Sequence, residues 1–184
     1  MRPVRRLVSG RHRHHRGGRG PVRLDPACGG GATMTGWPLL LDTLPQVQRD
    51  RLFTLADERD FRAGSTLFDE GGVADRFWLI RSGEVALDVY VPGRRAQVVE
   101  TLGPRQQLGW SWIFPPYRWH LGARALGAVR TWEFPAAEVR ELCMADTELG
   151  YELMLRCAAL IADRLQATRL RLLDLYTPHG SVPS

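Results

Sequence analysis

Between residues 85 and 91 the chain alternates. Val85, Leu87, Val89 and Val91 are separated by Ala86, Asp88 and Tyr90, which is the period of a strand with one buried face. Further apolar-rich runs at Gln97–Leu102 and 129–134 predict more strands of the same short length. Glycines punctuate these runs: Gly64, Gly71 and Gly83 stand where turns are needed, and Gly72 follows Gly71 directly. Arg81-Ser82-Gly83-Glu84 reads as a turn between two strands, and Pro92-Gly93-Arg94-Arg95 as another. Many short strands with frequent glycine predict an α+β, mainly β domain: an antiparallel β-barrel or jelly roll over about 60–134.

The flanks carry a helical period instead. Leu39, Leu40, Leu41, Leu44, Val47, Leu52, Phe53 and Leu55 predict two short helices around Pro45. Beyond Pro135 the spacing predicts a helix over 136–144, then a longer one capped by Asp146 or Thr147 and running to about Tyr176. In that long helix Met154, Ala158, Ile161, Leu165, Thr168, Leu172 and Leu175 repeat at alternating steps of four and three. A second stripe, with Cys157 and Leu160, would face the barrel. A helix apolar on two sides needs two partners, so the seam predicts a homodimer through residues 154–175; the plain alternative is a core helix with an accidental heptad. Thr177-Pro178 ends the helix, and 177–184 reads as a loose end.

Charge divides the chain unevenly. The 184 residues sum to +5, with no lysine at all, but 1–33 hold eight arginines and one acidic residue, whereas the remainder is net −2. The absence of lysine fits a GC-rich coding sequence. Residues 1–33 have almost no apolar content, which predicts disorder. They read either as a mis-assigned start, with Met34 the true one, or as an arm for nucleic acid, in which His12, His14 and His15 would form at most a weak metal site. Cys28, Cys143 and Cys157 are odd in number and lack CxxC spacing, so they predict neither a disulfide framework nor a zinc site, and a reducing cytoplasm fits them. No apolar run reaches the roughly 18 residues of a membrane span, and no apolar segment follows the first arginines as a signal peptide requires. The sequence has no nucleophile elbow, paired metal ligands or glycine-rich phosphate loop, so it does not read as an enzyme.

Four stretches resemble the cyclic nucleotide-binding domain family, which includes catabolite activator protein. They are Phe61-Arg62-Ala63-Gly64, Leu67-Phe68-Asp69-Glu70-Gly71, Phe77-Trp78-Leu79-Ile80-Arg81-Ser82-Gly83-Glu84-Val85 and Ile161-Ala162-Asp163-Arg164-Leu165-Gln166-Ala167-Thr168. The resemblance covers about 37–176. It implies a barrel that binds a cyclic nucleotide (cyclic AMP or cyclic GMP) and moves the long helix. In the family a cassette begins Phe-Gly-Glu and ends with Arg followed by Ser, Thr or Ala, then Ala. Helix N-terminal amides and the arginine hold the cyclic phosphate, and the glutamate accepts from the ribose. Here the matching stretch is 108–125. Gly109 matches; Trp110 stands at the glutamate, Trp119 or His120 at the arginine, and Arg118 lies one or two positions early. Thr168 matches a position that contacts the base, though the heptad seam explains it equally well. Losing both charge-assisted contacts predicts binding weaker by roughly two to four orders of magnitude.

The replacements are aromatic: Trp110, Trp112, Phe114, Tyr117 and Trp119, beside Ser111 and around Pro115-Pro116. They either fill the emptied pocket or line one for an apolar or aromatic ligand, with Arg118 and His120 as polar handles. Some distant relatives of the fold carry haem, for which His120 alone is weak support. The expected function is a non-catalytic regulatory or sensor module, dimeric and acting on a separate, unidentified protein. The alternatives are a true cyclic nucleotide sensor using Arg118 and backbone amides, and a nucleic-acid-associated regulator working through the Arg-rich tail. The chain stops where the long helix ends, so no helix-turn-helix domain is expected.

Overall fold

The computed structural model describes residues 44–90, 93 and 96–176; inside the last helix the side chains of 171 and 174–176 fall outside the description. The predicted tail at 1–33, the helix before Pro45, most of the turn at 92–95 and the segment 177–184 lie outside the described residues.

Helix α1 (Gln46–Phe53) leads into eight strands: β1 (Asp57–Phe61), β2 (Thr66–Phe68), β3 (Arg76–Ser82), β4 (Val85–Val89), β5 (Gln97–Leu102), β6 (Gln107–Leu108), β7 (Gly122–Ala125) and β8 (Val129–Pro135). Helices α2 (Ala136–Ala145) and α3 (Thr147–Tyr176) follow. The strands form two four-stranded antiparallel sheets, ordered β1-β8-β3-β6 and β2-β7-β4-β5. This is the expected mainly β jelly roll with flanking helices.

One apolar cluster draws on both sheets and all three helices. Phe77, Leu79, Trp132 and Phe134 come from the first sheet, Val85, Leu87 and Leu102 from the second, and Leu52, Val139, Leu153 and Cys157 from the helices. The alternation predicted for β4 is only partly expressed. Val85, Ala86, Leu87 and Asp88 are all buried, because β4 is an inner strand and its second face is covered too. Asp88 tolerates this by pairing with Arg124 at 3.3 Å.

Strand β1 reads Asp-Glu-Arg-Asp-Phe, and four of its five residues are exposed. It falls before the expected start of the barrel and carries no apolar alternation. It is held from one side only, by a full register against β8 from Asp57↔Glu133 to Phe61↔Val129. Charged side chains are what an edge strand needs to discourage pairing with another chain.

The turn glycines sit where the sequence placed them. Gly64, Gly71 and Gly83 all have positive φ. At Gly83 a side chain has no room either, since an added Cβ would lie 2.3 Å from the Ala128 carbonyl oxygen. The start of α3 also follows expectation: the Asp146 carboxylate accepts the Leu149 amide at 3.1 Å and pairs with Arg51. That amide bond, with Arg51 beside it, holds the Asp146 carboxyl below its ordinary value.

The predicted seam of α3 is only partly on the surface. Met154 packs against the core, and Ile161 is half-buried, while Leu165 and Leu172 are about half exposed. Tyr151, Leu155, Leu170 and Leu173 add exposed apolar surface that the heptad reading left out. The helix leans onto the barrel at its start and departs from it later. Its covered stripe therefore runs through Leu149, Leu153 and Cys157, all buried. Cys157 makes only a long 3.9 Å contact with Gln107, and burial pushes its thiol up to about 12. No described helix is long and apolar enough to cross a membrane.

Candidate functional site

The aromatic stretch after β6 separates into two groups. Trp112 turns into the core: it is fully buried and stacks on Phe77 at 4.6 Å between ring centroids, and Phe77 in turn stacks on Phe134 at 4.8 Å. Arg140 fixes the backbone there, donating to the Trp112 carbonyl at 2.7 Å while its guanidinium lies 4.4 Å from the centre of the Tyr117 ring. These residues are scaffold.

Trp119 enters the space between the two sheets. It is 5% exposed, stacks on Phe68 at 4.1 Å and lies 6.0 Å from Trp78, itself stacked on Phe68 at 5.5 Å. The indole N–H of Trp78 donates to Glu133 at 2.8 Å, and Arg59 and Arg76 neutralise that carboxylate from outside. Backbone bonds lock the position of Trp119: its amide donates to Gly72, and its carbonyl accepts from Gly71. Gly109 makes room for the ring. A Cβ there would lie 2.7 and 2.8 Å from ring atoms of Trp119, and φ at Gly109 is +84° besides. Gly109 is thus required both by backbone geometry and by the indole above it.

Around that interlock Gly109, Trp110, Ser111, Trp119 and His120 come together with Phe68, Leu87, Leu121 and Arg164 about a cavity of only about 30 Å³. A volume of that order holds a water or two. At its mouth Trp110 stacks on His120 at 5.1 Å, and the Ser111 hydroxyl is 3.0 Å from His120 Nδ1.

Arg118 goes elsewhere. It is exposed, pairs through its backbone with Val73, and donates to the Gly71 carbonyl at 2.9 Å. It does not line the small cavity, so the structure does not bring it together with Gly109 and Ser111. Thr168 also stands apart. Its hydroxyl donates to Arg164 O one turn back at 2.8 Å, and it lines a separate groove.

That groove encloses about 430 Å³ between the β4–β5 side of the barrel and α3. Its walls are mainly Leu87, Trp110, Leu121, Ile161, Leu165 and Leu172. Arg164 borders both spaces. It donates to the Gln107 carbonyl at 2.7 Å and faces Glu100 at 3.6 Å. Burial lowers its pKa, and Glu100 opposes that only in part. Sequence reading missed Arg164 as a site residue because it sits in a stretch that resembles the family's helix and looks like an ordinary surface arginine. Phe68 was missed because an aromatic in a short strand reads as core. Among the described residues there is no cluster of three metal-ligating side chains.

The comparisons agree with this fold. A family model described as cyclic nucleotide-binding domain matches residues 58–146. The CRP-like cAMP-activated global transcriptional regulator of Mycobacterium tuberculosis is 29% identical over 116 residues, covering 63% of this chain and 50% of that protein. The chain therefore spans about half the length of this relative. A cyclic nucleotide-binding domain from Methylobacillus flagellatus superposes with a TM-score of 0.67 at 17% identity, over 76% of this chain and 78% of that one. The Thermus thermophilus catabolite activator protein gives 0.61 at 22% identity, over 75% and 63%. At such identities the two structures speak for the fold, and the sequence match across the barrel aligns residues 58–146 with the cyclic nucleotide-binding domain family.

Proposed function

We propose that this chain is a non-catalytic regulatory module whose barrel has given up the ordinary cyclic nucleotide site. The observation that carries this reading is the Trp119 indole, held between Phe68 and Gly109, which leaves about 30 Å³ beside it. By the sequence resemblance, this side chain or its neighbour His120 stands where an arginine would meet the phosphate. A neutral indole offers no charge there, and it occupies the room. Arg118 is bound to the Gly71 carbonyl, which speaks against its serving as the substitute. The output passes through α3. Its exposed Tyr151, Leu155 and Leu170 form apolar surface suited to a second copy of the chain, and such a dimer would act on a partner protein.

Calorimetric titration of the intact chain with cyclic AMP and cyclic GMP tests the reading. No saturable heat is expected up to millimolar nucleotide. The variant carrying Trp110→Glu and Trp119→Arg returns both polar contacts and is expected to gain binding. Micromolar binding by the unaltered chain would overturn the proposal. The dimer is checked by light scattering of the same samples, which is expected to give twice the chain mass.

A further inference from the structure

The outward face of α3 carries a heptad of its own. Starting at Glu148 and stepping alternately three and four residues, every position as far as Leu172 is exposed. This face lies opposite the stripe of Leu149, Leu153 and Cys157 that packs on the barrel. It differs from the seam that the spacing predicts, since Met154 and Ile161 are partly covered and drop out. Its centre is small, Ala158 and Ala162, and lets a second helix come close. Leucines stand on either side, Leu155 at 53% and Leu165 at 50% exposure. Leu165 and Leu172 also edge the groove, so a partner helix would cover only their outer sides.

The two charged members decide how that partner lies. Glu148 stands at the start of the face and Arg169 near its end. In a parallel pair each position of a heptad seam meets its own copy. Arg169 would then meet Arg169 and Glu148 would meet Glu148, two layers of like charge across one interface, which weakens association. Reversing one helix about a two-fold near Leu160 removes both conflicts. The layers then become Ala158 on Ala162, Leu155 on Leu165 and Tyr151 on Arg169, each formed twice. The partner's Arg169 would lie over the Tyr151 ring, with the Glu148 and Glu152 carboxylates within one turn of it. Glu152 already pairs with Arg156 in its own helix, which makes Glu148 the main counterion.

We propose that α3 pairs antiparallel with α3 of a second copy, with Arg169 of each chain set against Tyr151 and Glu148 of the other. The inference rests on the reading that α3 carries the dimer, and it adds the direction of the pair and the residues that fix it.

Charge reversal tests it on the intact chain, with the dimer dissociation constant read by sedimentation equilibrium. Arg169→Glu sets a carboxylate against Glu148 in both copies of the contact and should weaken the dimer about 3- to 30-fold. In a parallel pair the same change only swaps one like-charge layer for another. Adding Glu148→Arg should restore the dimer. Both positions are exposed, so neither change disturbs the core. An unchanged dissociation constant in Arg169→Glu, or a double variant no tighter than the single one, would overturn the inference. Disulfide trapping with oxidised glutathione, read by peptide mass, checks the direction separately. Tyr151→Cys alone should not link to itself, since the two copies of residue 151 would lie roughly 27 Å apart along the pair. Mixed with Arg169→Cys, it should link position 151 to position 169. Self-linking of Tyr151→Cys would show a parallel pair, keeping the dimer and removing its proposed direction. A single chain mass for the unaltered protein at micromolar concentration would bring down the dimer itself.

Discussion

Two neighbouring spaces share Leu87, Trp110, Leu121 and Arg164, yet one is filled and the other open. The barrel interior is closed by rings stacked at 4.1 and 5.5 Å, each on a backbone that hydrogen bonds fix. The groove is walled on one side by half-exposed leucines of a helix leaving the barrel. The first is a packed interior, where every atom removed leaves a hole. The second is a surface concavity, whose walls lose little when trimmed. The same residue types therefore differ in energetic weight by their neighbours alone.

The largest effect should come from opening the filled side. Trp119→Ala is expected to cost about 3–5 kcal/mol of unfolding free energy, as large-to-small core changes of this size do. A loss under about 1 kcal/mol in urea unfolding would mean that the barrel was not packed around this ring. Gly109→Ala comes next. It combines a left-handed backbone strain of about 1–2 kcal/mol with a clash against the indole worth about 1–3 kcal/mol. In a Trp119→Ala background the clash should vanish and only the strain remain, so the two changes should be clearly non-additive in a double-mutant cycle. Strict additivity would show that the rings and Gly109 are not interlocked.

A smaller effect belongs to the anchor of α3. The Asp146 carboxyl sits below its ordinary value of 3.8, so it is stabilising above that pH, and the contribution is lost as pH falls through the lowered folded value. Asp146→Asn keeps a capping oxygen but gives up the charge beside Arg51. Its urea midpoint should lie slightly below that of the unaltered chain at pH 7, and the gap should be smaller at pH 3, below the ordinary value of 3.8. An equal gap at both pH values would remove the carboxylate from the account. The smallest effect is expected on the open side: Leu172→Ala, at a half-exposed position, should stay within about 0.5 kcal/mol.

Much of the fold could be read from the sequence because its signals are local. Strand β4, the turn glycines and the start of α3 at Asp146 each depend on a few consecutive residues. Strand β1 could not be read, since its residues are chosen for an exposed edge and show no apolar period. Strand β6 was equally silent, having only two residues, Gln107 and Leu108. In the site, the exchange of polar for aromatic residues was visible, but the separation of Trp112 from Trp119 was not. One packs on Phe77 and the other on Phe68, and both are tryptophans beside small loops. The groove was hidden altogether, because Leu87, Trp110, Leu121 and Leu172 come from four separate parts of the chain.

Arg164 reaches from α3 to the Gln107 carbonyl and so ties the helix to the barrel with a single short bond. Such a tie makes the exchange between helix and barrel a two-way one. Any molecule that changes how firmly Arg164 is held changes the free energy of docking the helix, and linkage requires the reverse by the same factor. A protein that grips the end of α3 would then set the affinity of whatever meets this guanidinium, without touching it.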